Sequence, residues 1–260
     1  MFCIGLPGQY PALAASNPGY LADRSIEADL GYRLPPAPDN KSDVGLLDLT
    51  EVRLAQTNDS TVYEEAYRDA GAYASDQLMS RFSAAAGTNL SPAASPILAH
   101  ILKRVLNDTS GYVTMAKVNN PRDRPYVEDI HIVPCSTDYL RATDHQSYPS
   151  GHAANGYAAA LVLAEAIPVR ASALLARGVR YGDNRIVCGV HHPSDVEQGR
   201  LLAIAIYRKL REDRAFREDV ACAHQEFERS VAGSTPKAPF SKACADLGSR
   251  YRAELSSTSN

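Results

Sequence analysis

No apolar run in this 260-residue chain approaches the roughly 18 residues needed to cross a bilayer. The most apolar stretch, Ala153 to Ile167, is interrupted by Asn155, Gly156 and Glu165, so no membrane-spanning helix is expected. Basic blocks are missing too. The 27 Lys and Arg residues against 30 Asp and Glu leave a formal net charge of −3, which removes the electrostatic footprint of a nucleic-acid partner. No two cysteines form a C-x-x-C pair, which argues against a structural zinc site. There is no internal repeat, and little of the chain has the alternating pattern of a strand.

What is present suits an ordinary globular protein: 45% hydrophobic and 22% charged residues, in a length sufficient for one substantial core. Five cysteines stand at positions 3, 135, 188, 222 and 244. Four in the body of the chain suit either two disulfides in an exported protein or four buried free thiols, and composition does not choose between them. Residues 1–16 end in the small-residue run Pro11-Ala12-Leu13-Ala14-Ala15-Ser16 but carry no Lys or Arg. They read either as the remnant of a signal peptide or as a plain N-terminal segment.

Residues 17–60 are rich in Pro, Asp and Asn, including Leu34-Pro35-Pro36-Ala37-Pro38, and are expected to wrap over the surface as an extended segment packed on the domain. From Thr61 the apolar spacing becomes helical through Tyr63, Ala66, Ala70, Tyr73, Leu78 and Phe82, ending by Gly87. Pro96 opens a second helix with Ile97, Ile101 and Val105 on one face, and a third is expected after Gly111 towards Lys117. A helix follows Pro149, another spans Arg170 to Tyr181 until Gly182-Asp183 breaks it, and Pro193 and Ala215 begin two more. The tail 232–260 is expected to be loosely held, or tied down by Cys222 and Cys244. The fold class is all-α, with one compact helical domain over residues 61–231.

Chemistry concentrates in three groups. The turn Tyr148-Pro149-Ser150-Gly151-His152 places a capping serine and a histidine at a helix start, where free N–H groups and the helix dipole favour a phosphate. Lys117 and Arg124 lie before it, and Arg185, His191 and Asp195 after it. Three cations and a helix N-terminus suit a dianion, while two histidines suit a nucleophile and an acid. A metal site built from His145, His152, His191, His192 and Asp195 is the competing reading of the same residues, but it leaves the three basic positions unexplained.

The spacing Lys117-x6-Arg124-Pro125, Pro149-Ser150-Gly151-His152 and Arg185-x5-His191-x3-Asp195 resembles the three motifs of the phosphatidic-acid-phosphatase type 2 (PAP2) superfamily. Leu34 to Pro38, Asn58-Asp59 before Tyr63-Glu64, Ala160 to Glu165 and Val187-Cys188-Gly189 resemble its class A bacterial non-specific acid phosphatases. The resemblance implies a helical fold shared with vanadium haloperoxidases and a metal-independent acid phosphatase, without cofactor, acting on small phosphomonoesters. It assigns His191 as nucleophile of a phosphohistidine intermediate, His152 as general acid and base, and Asp195 as partner of His191. Lys117, Arg124, Ser150, Gly151 and Arg185 bind phosphate, with inorganic phosphate as product and vanadate as inhibitor.

The same resemblance implies a Cys135–Cys188 disulfide, Cys222–Cys244 as second bridge, a periplasmic location, a homo-oligomer, and phosphoryl transfer to alcohols beside hydrolysis. A vanadate-dependent haloperoxidase using the same oxyanion site is the alternative. One departure stands out: Asn184 occupies the place of a serine before Arg185, where its amide either donates a hydrogen bond to the phosphate or narrows the pocket. His192 is expected at the pocket rim and His145 in a loop.

Overall fold

The computed structural model describes residues 19–21, 30–56, 59–135, 144–231 and 240–257, and helices carry it throughout; among the described residues there is no strand beyond a single bridge between Arg122 and Gln146. In chain order the helices are α1 (Asp43–Ala55), α2 (Ser60–Ala70), α3 (Ser75–Ser80), α4 (Ser83–Ala86), α5 (Pro96–Asn119) and α6 (Pro125–Glu128). They continue with α7 (Gly151–Ala166), α8 (Ala171–Val187), α9 (Pro193–Leu210), α10 (Arg214–Val231) and α11 (Lys242–Ser257). The expected all-α architecture is the one observed. No helix among the described residues is long and apolar enough to cross a membrane. The stretch 1–16, with Cys3, lies outside the described residues.

α7 is the axis of the bundle. Its sequence is apolar all the way round, as a helix surrounded by others must be, and it packs against α5, α8, α9 and α10. Small side chains let its neighbours come close. Ala153, Ala154, Ala158, Ala159 and Ala160 are all fully buried, and Gly178 of α8 sits so near that an added Cβ would lie 2.4 Å from the Ala160 Cβ. Gly182, one turn further along the same face, would bring a Cβ within 3.1 Å of Ala153 and 3.3 Å of Val196. This is why α8 runs through Gly182-Asp183 where the sequence suggests a break. The glycine serves close helix approach, not a turn.

Three other segments differ from expectation for physical reasons. The helix expected from Thr61 to Gly87 is three short ones, α2, α3 and α4, because the chain leaves helical geometry at Gly71 to Ala74 to cross the end of α7. Conversely, the two helices expected around Gly111 form one 24-residue helix, α5. A glycine in a helix interior costs only about 1 kcal/mol relative to alanine, which the buried face of Ile101, Leu102, Val105, Tyr112 and Val113 overrides. Residues 43–55, within the segment expected to be extended, form α1, capped by Ser42 Oγ accepting from Gly45 N–H at 3.2 Å. Leu49 and Val52 of α1 pack on Ile132.

Disulfides join Cys135 to Cys188 and Cys222 to Cys244. The second ties α11, in the region expected to be a loose tail, to α10; Cys244, Leu247 and Tyr251 are buried there. The first ties the segment after α6 to the end of α8, where Gly189 takes a positive φ of 68°. Its Cβ position is also blocked, 2.6 Å from Ile132 Cγ2.

The start of α7 is pinned by a tight contact with α9. An added Cβ at Gly199 of α9 would lie 2.5 Å from the Ser150 carbonyl oxygen, a backbone atom that cannot swing aside. Gly199→Ala is expected to destabilise the fold by about 1–3 kcal/mol, as overpacking does, and to lower activity by displacing the start of α7. A thermal melt that matches the unaltered protein would contradict this.

Candidate active site

The start of α7 is built by local sequence. Ser150 keeps extended backbone geometry as N-cap, and its Oγ accepts from Ala153 N–H at 3.3 Å. Its own N–H donates to the Asp195 carbonyl at 2.9 Å, which locks the first turn of α7 to the first turn of α9. The first-turn N–H groups of α7 form the positive end of a 16-residue helix. Tyr148, just before the cis Tyr148–Pro149 bond, is buried, and its hydroxyl donates to the Pro35 carbonyl at 2.8 Å.

His191 follows the turn at Gly189 and is fully enclosed. Arg124 Nη1 lies 3.0 Å from its Nε2, and also donates to the Val190 carbonyl at 2.8 Å. A guanidinium only donates. Nε2 therefore presents its lone pair, and the ring proton sits on Nδ1, 3.4 Å from Asp195 Oδ2. Burial and Arg124 hold this histidine well below its ordinary pKa, so it is neutral. Asp195 is charged: burial alone would raise it, but donors from His191 and His192 and the charge of Arg122 hold it well below the carboxylate range.

His152, in the first turn of α7, donates from Nε2 to the Ala70 carbonyl at 3.1 Å. Its ring lies 4.9 Å from that of Tyr73, tilted by 50°, and 6.0 Å from that of Tyr181. Burial, then Arg185 and His191, lower its pKa well below the ordinary value. The ammonium of Lys117 donates to the carbonyls of Gln146 and Ser147. Desolvation first, and Arg124 second, bring Lys117 down to about 7. Arg185 is buried in α8 close enough to lower His152 by its charge. Lys117, Arg124, Arg185, His152, His191 and Asp195, scattered over 79 positions of sequence, thus act on one another electrostatically, and Ser150, with Gly151 next to it at the start of α7, is tied to them through the Asp195 carbonyl.

The outlying candidates fall differently. His192 is wholly buried, which corrects the rim placement. As N-cap of α9 its N–H donates to Asp195 Oδ2 at 2.8 Å, and this turns the ring inward, with Nδ1 3.2 Å from that oxygen and Nε2 3.0 Å from Glu128. Burial opposes its charge, but the two carboxylates together raise its pKa. Asn184 spends its amide nitrogen on Asp69, at 2.7 Å, and more weakly on Glu65, at 3.4 Å, not on an oxyanion. His145 is an exposed loop residue, as expected, and pairs with Asp123.

Four residues escaped the sequence reading. Arg122 is almost completely buried and bridges Asp195 Oδ1 and Asp48 Oδ2, both at 2.8 Å, as well as Ser194 Oγ at 2.7 Å and Asn40 Oδ1 at 3.0 Å. Ser147 Oγ donates to Asp195 Oδ2 at 2.6 Å. Asp144 orients Arg124 by accepting from Nε at 2.7 Å. Tyr73 faces His152. Only Arg122 had even a local hint, a second arginine two residues before Arg124.

Comparison with known proteins places the chain in a family. Residues 89–211, which contain every motif position above, match the family described as PAP2 superfamily. The acid phosphatase of Zymomonas mobilis is 35% identical over 206 residues, covering 79% of this chain and 78% of the relative. Non-specific acid phosphatases of Salmonella typhimurium and Providencia stuartii are each 30% identical, over 220 and 241 residues; the chain covers 87% and 96% of their lengths. They cover 84% and 88% of this chain.

Proposed function

The chain belongs to the PAP2 superfamily, and from that premise we propose that it is an acid phosphatase hydrolysing phosphomonoesters through a phosphohistidine, without a metal ion. The observation that carries the reading is the neutral His191, with its Nε2 lone pair beside Arg124 and its Nδ1 backed by a charged Asp195. That is the arrangement of an activated nitrogen nucleophile. The names of the relatives favour this reading over the haloperoxidase alternative.

Phosphoryl transfer depends mainly on positioning and on spreading negative charge. Lys117, Arg124, Arg185 and the α7 N-terminus hold the three non-bridging oxygens, the arginines through their planar forks. His191 Nε2 forms a bond to phosphorus as the ester P–O bond breaks. Asp195 stabilises the positive charge that then develops on the ring. His152 keeps Nε2 on the Ala70 carbonyl, which leaves Nδ1 to give a proton to the departing alkoxide. In the second half Nδ1 takes a proton from water, whose oxygen attacks phosphorus as the P–N bond breaks. An alcohol in place of water gives phosphoryl transfer instead.

Charge balance leads to an expected acid preference. His152 must be protonated to act as acid, yet burial and Arg185 hold it neutral in the free protein. A bound phosphate dianion reverses the balance by setting two negative charges against the cations, so substrate binding draws a proton into the site. Lys117 is charged below about 7 and loses its charge above it. Binding near pH 6.5 of sulfate, a dianion with no proton of its own to release, is therefore expected to take up protons, visible as a calorimetric heat that varies with the ionisation enthalpy of the buffer. The value of kcat/KM should fall as pH rises through 7. A heat independent of buffer would contradict the scheme.

The direct assay is release of nitrophenol from p-nitrophenyl phosphate at about pH 5.5 in excess EDTA, with and without vanadate. Turnover that survives EDTA and is suppressed by vanadate supports the proposal. Turnover lost to EDTA would return the histidines to the metal-binding reading.

A further inference from the structure

The mechanism assigns no role to Tyr73, although it is the side chain set against the proposed acid. Its segment, Gly71 to Ala74, is the irregular crossing between α2 and α3. Two carbonyls hold that crossing in place: Ala70 accepts from His152 Nε2, and Ala72 accepts from the Tyr181 hydroxyl. The Tyr73 ring lies 4.9 Å from His152, and its hydroxyl is 3.5 Å from where a Cβ on Gly151 would stand. Tyr73 thus overhangs the first turn of α7, where the phosphate is proposed to sit. Unlike Tyr181, which is fully buried, Tyr73 remains 43% exposed.

This placement bears on the alcohol half of the substrate. The ester oxygen must point at His152 to receive its proton, so the next atoms of the alcohol leave the site past the ring beside His152. We infer that Tyr73 is the leaving-group wall and selects phosphomonoesters whose alcohol carries an aromatic ring one or two bonds from the ester oxygen. Rings meeting edge-to-face or offset gain more than their buried area alone provides, by an amount equivalent to roughly two- to tenfold in affinity. An aliphatic alcohol of the same size lacks that gain. The inference rests on the phosphatase reading for where the ester oxygen points.

The test compares benzyl phosphate with cyclohexylmethyl phosphate, which match in size and differ in the π face. Alongside, calorimetry compares the corresponding phosphonates, which bind without turnover. The unaltered protein is expected to favour the benzyl compound by about fivefold in both kcat/KM and Kd. Tyr73→Phe should keep that ratio, and Tyr73→Leu should bring it to about one, chiefly through loss on the benzyl compound. Equal kcat/KM or equal Kd for the two rings in the unaltered protein overturns the inference. So does an equal loss on both compounds in Tyr73→Leu, which would make Tyr73 only a support for His152. If neither ester turns over, the phosphatase reading fails, and the phosphonate ratio still decides the role of Tyr73.

Discussion

On the proposed phosphohistidine route His191→Ala is expected to lower kcat by at least about a thousandfold, since the route's chemical step is lost with its nucleophile. Phosphate affinity should change far less, within about tenfold, because Lys117, Arg124, Arg185 and the α7 N-terminus are untouched. The contrast between the two readouts is what identifies a nucleophile. A residue that merely supported the cradle would lose binding and rate together. Asp195→Asn is the companion variant. An amide in place of the charged carboxylate removes the counter-charge behind the Nδ1–H of His191 and disturbs the donors from Ser147 and His192. Its rate should fall steeply while phosphate still binds. Retention of a tenth or more of the normal rate by His191→Ala would remove His191 from the mechanism.

Arg122→Met is expected to cost about 3–5 kcal/mol in stability, the range for removing one partner of a buried ion pair. Arg122 neutralises two buried carboxylates at once, Asp48 of α1 and Asp195 behind His191. Without it both lose that counter-charge and keep only hydrogen bonds, from Ser147 and the two histidines to Asp195 and from Ser194 to Asp48. For a chain of this size the melting temperature should drop by roughly 10 °C. The pH dependence gives a second signature. Unpaired carboxylates bind protons more readily, so the gap between variant and parent should narrow as pH is lowered from 7 towards 5. A simple packing defect would leave the gap unchanged. Activity should fall as well, because Asp195 loses the charge that fixes its position. Arg122→Lys should recover part of the stability, since one ammonium lacks the fork that reaches Asp48, Asp195, Ser194 and Asn40 together.

Much of the site was legible before the structure, for a specific reason. Groups that grip an oxyanion come in few chemical types, and where they sit on helix starts their spacing is constrained by the backbone. Pro149-Ser150-Gly151-His152 announces a helix N-terminus by its capping chemistry, and the structure caps it with Ser150. Residues that act from behind carry no such mark. Arg122 lies between Lys117 and Arg124 in sequence, and nothing local distinguishes a buried bridging arginine from a solvated one. His192 illustrates the converse. Its neighbour His191 faces Arg124, and a second histidine beside it invited a place in the pocket, but the turn into α9 rotates consecutive side chains apart. The helix boundaries failed at glycines. Gly182 and Gly111 read as breaks, yet both lie within helices, one because α7 presses against it and the other because its neighbours bury enough to carry it.

The bridge from Arg122 to Asp48 also bears on how this enzyme can be dissected. The stretch matching the superfamily runs from residue 89 to 211 and contains every residue of the three motifs. Yet Asn40 and Asp48 share the cation that holds Asp195, the Ala70 carbonyl orients His152, and Tyr73 stands over it. All four precede residue 89. A fragment trimmed to the matching stretch would retain every motif residue and lack the surroundings that set their protonation and aim. On the proposed site the working unit is expected to be larger than its signature, and a version trimmed to begin at residue 89 is expected to lose activity that one beginning upstream of α1 keeps.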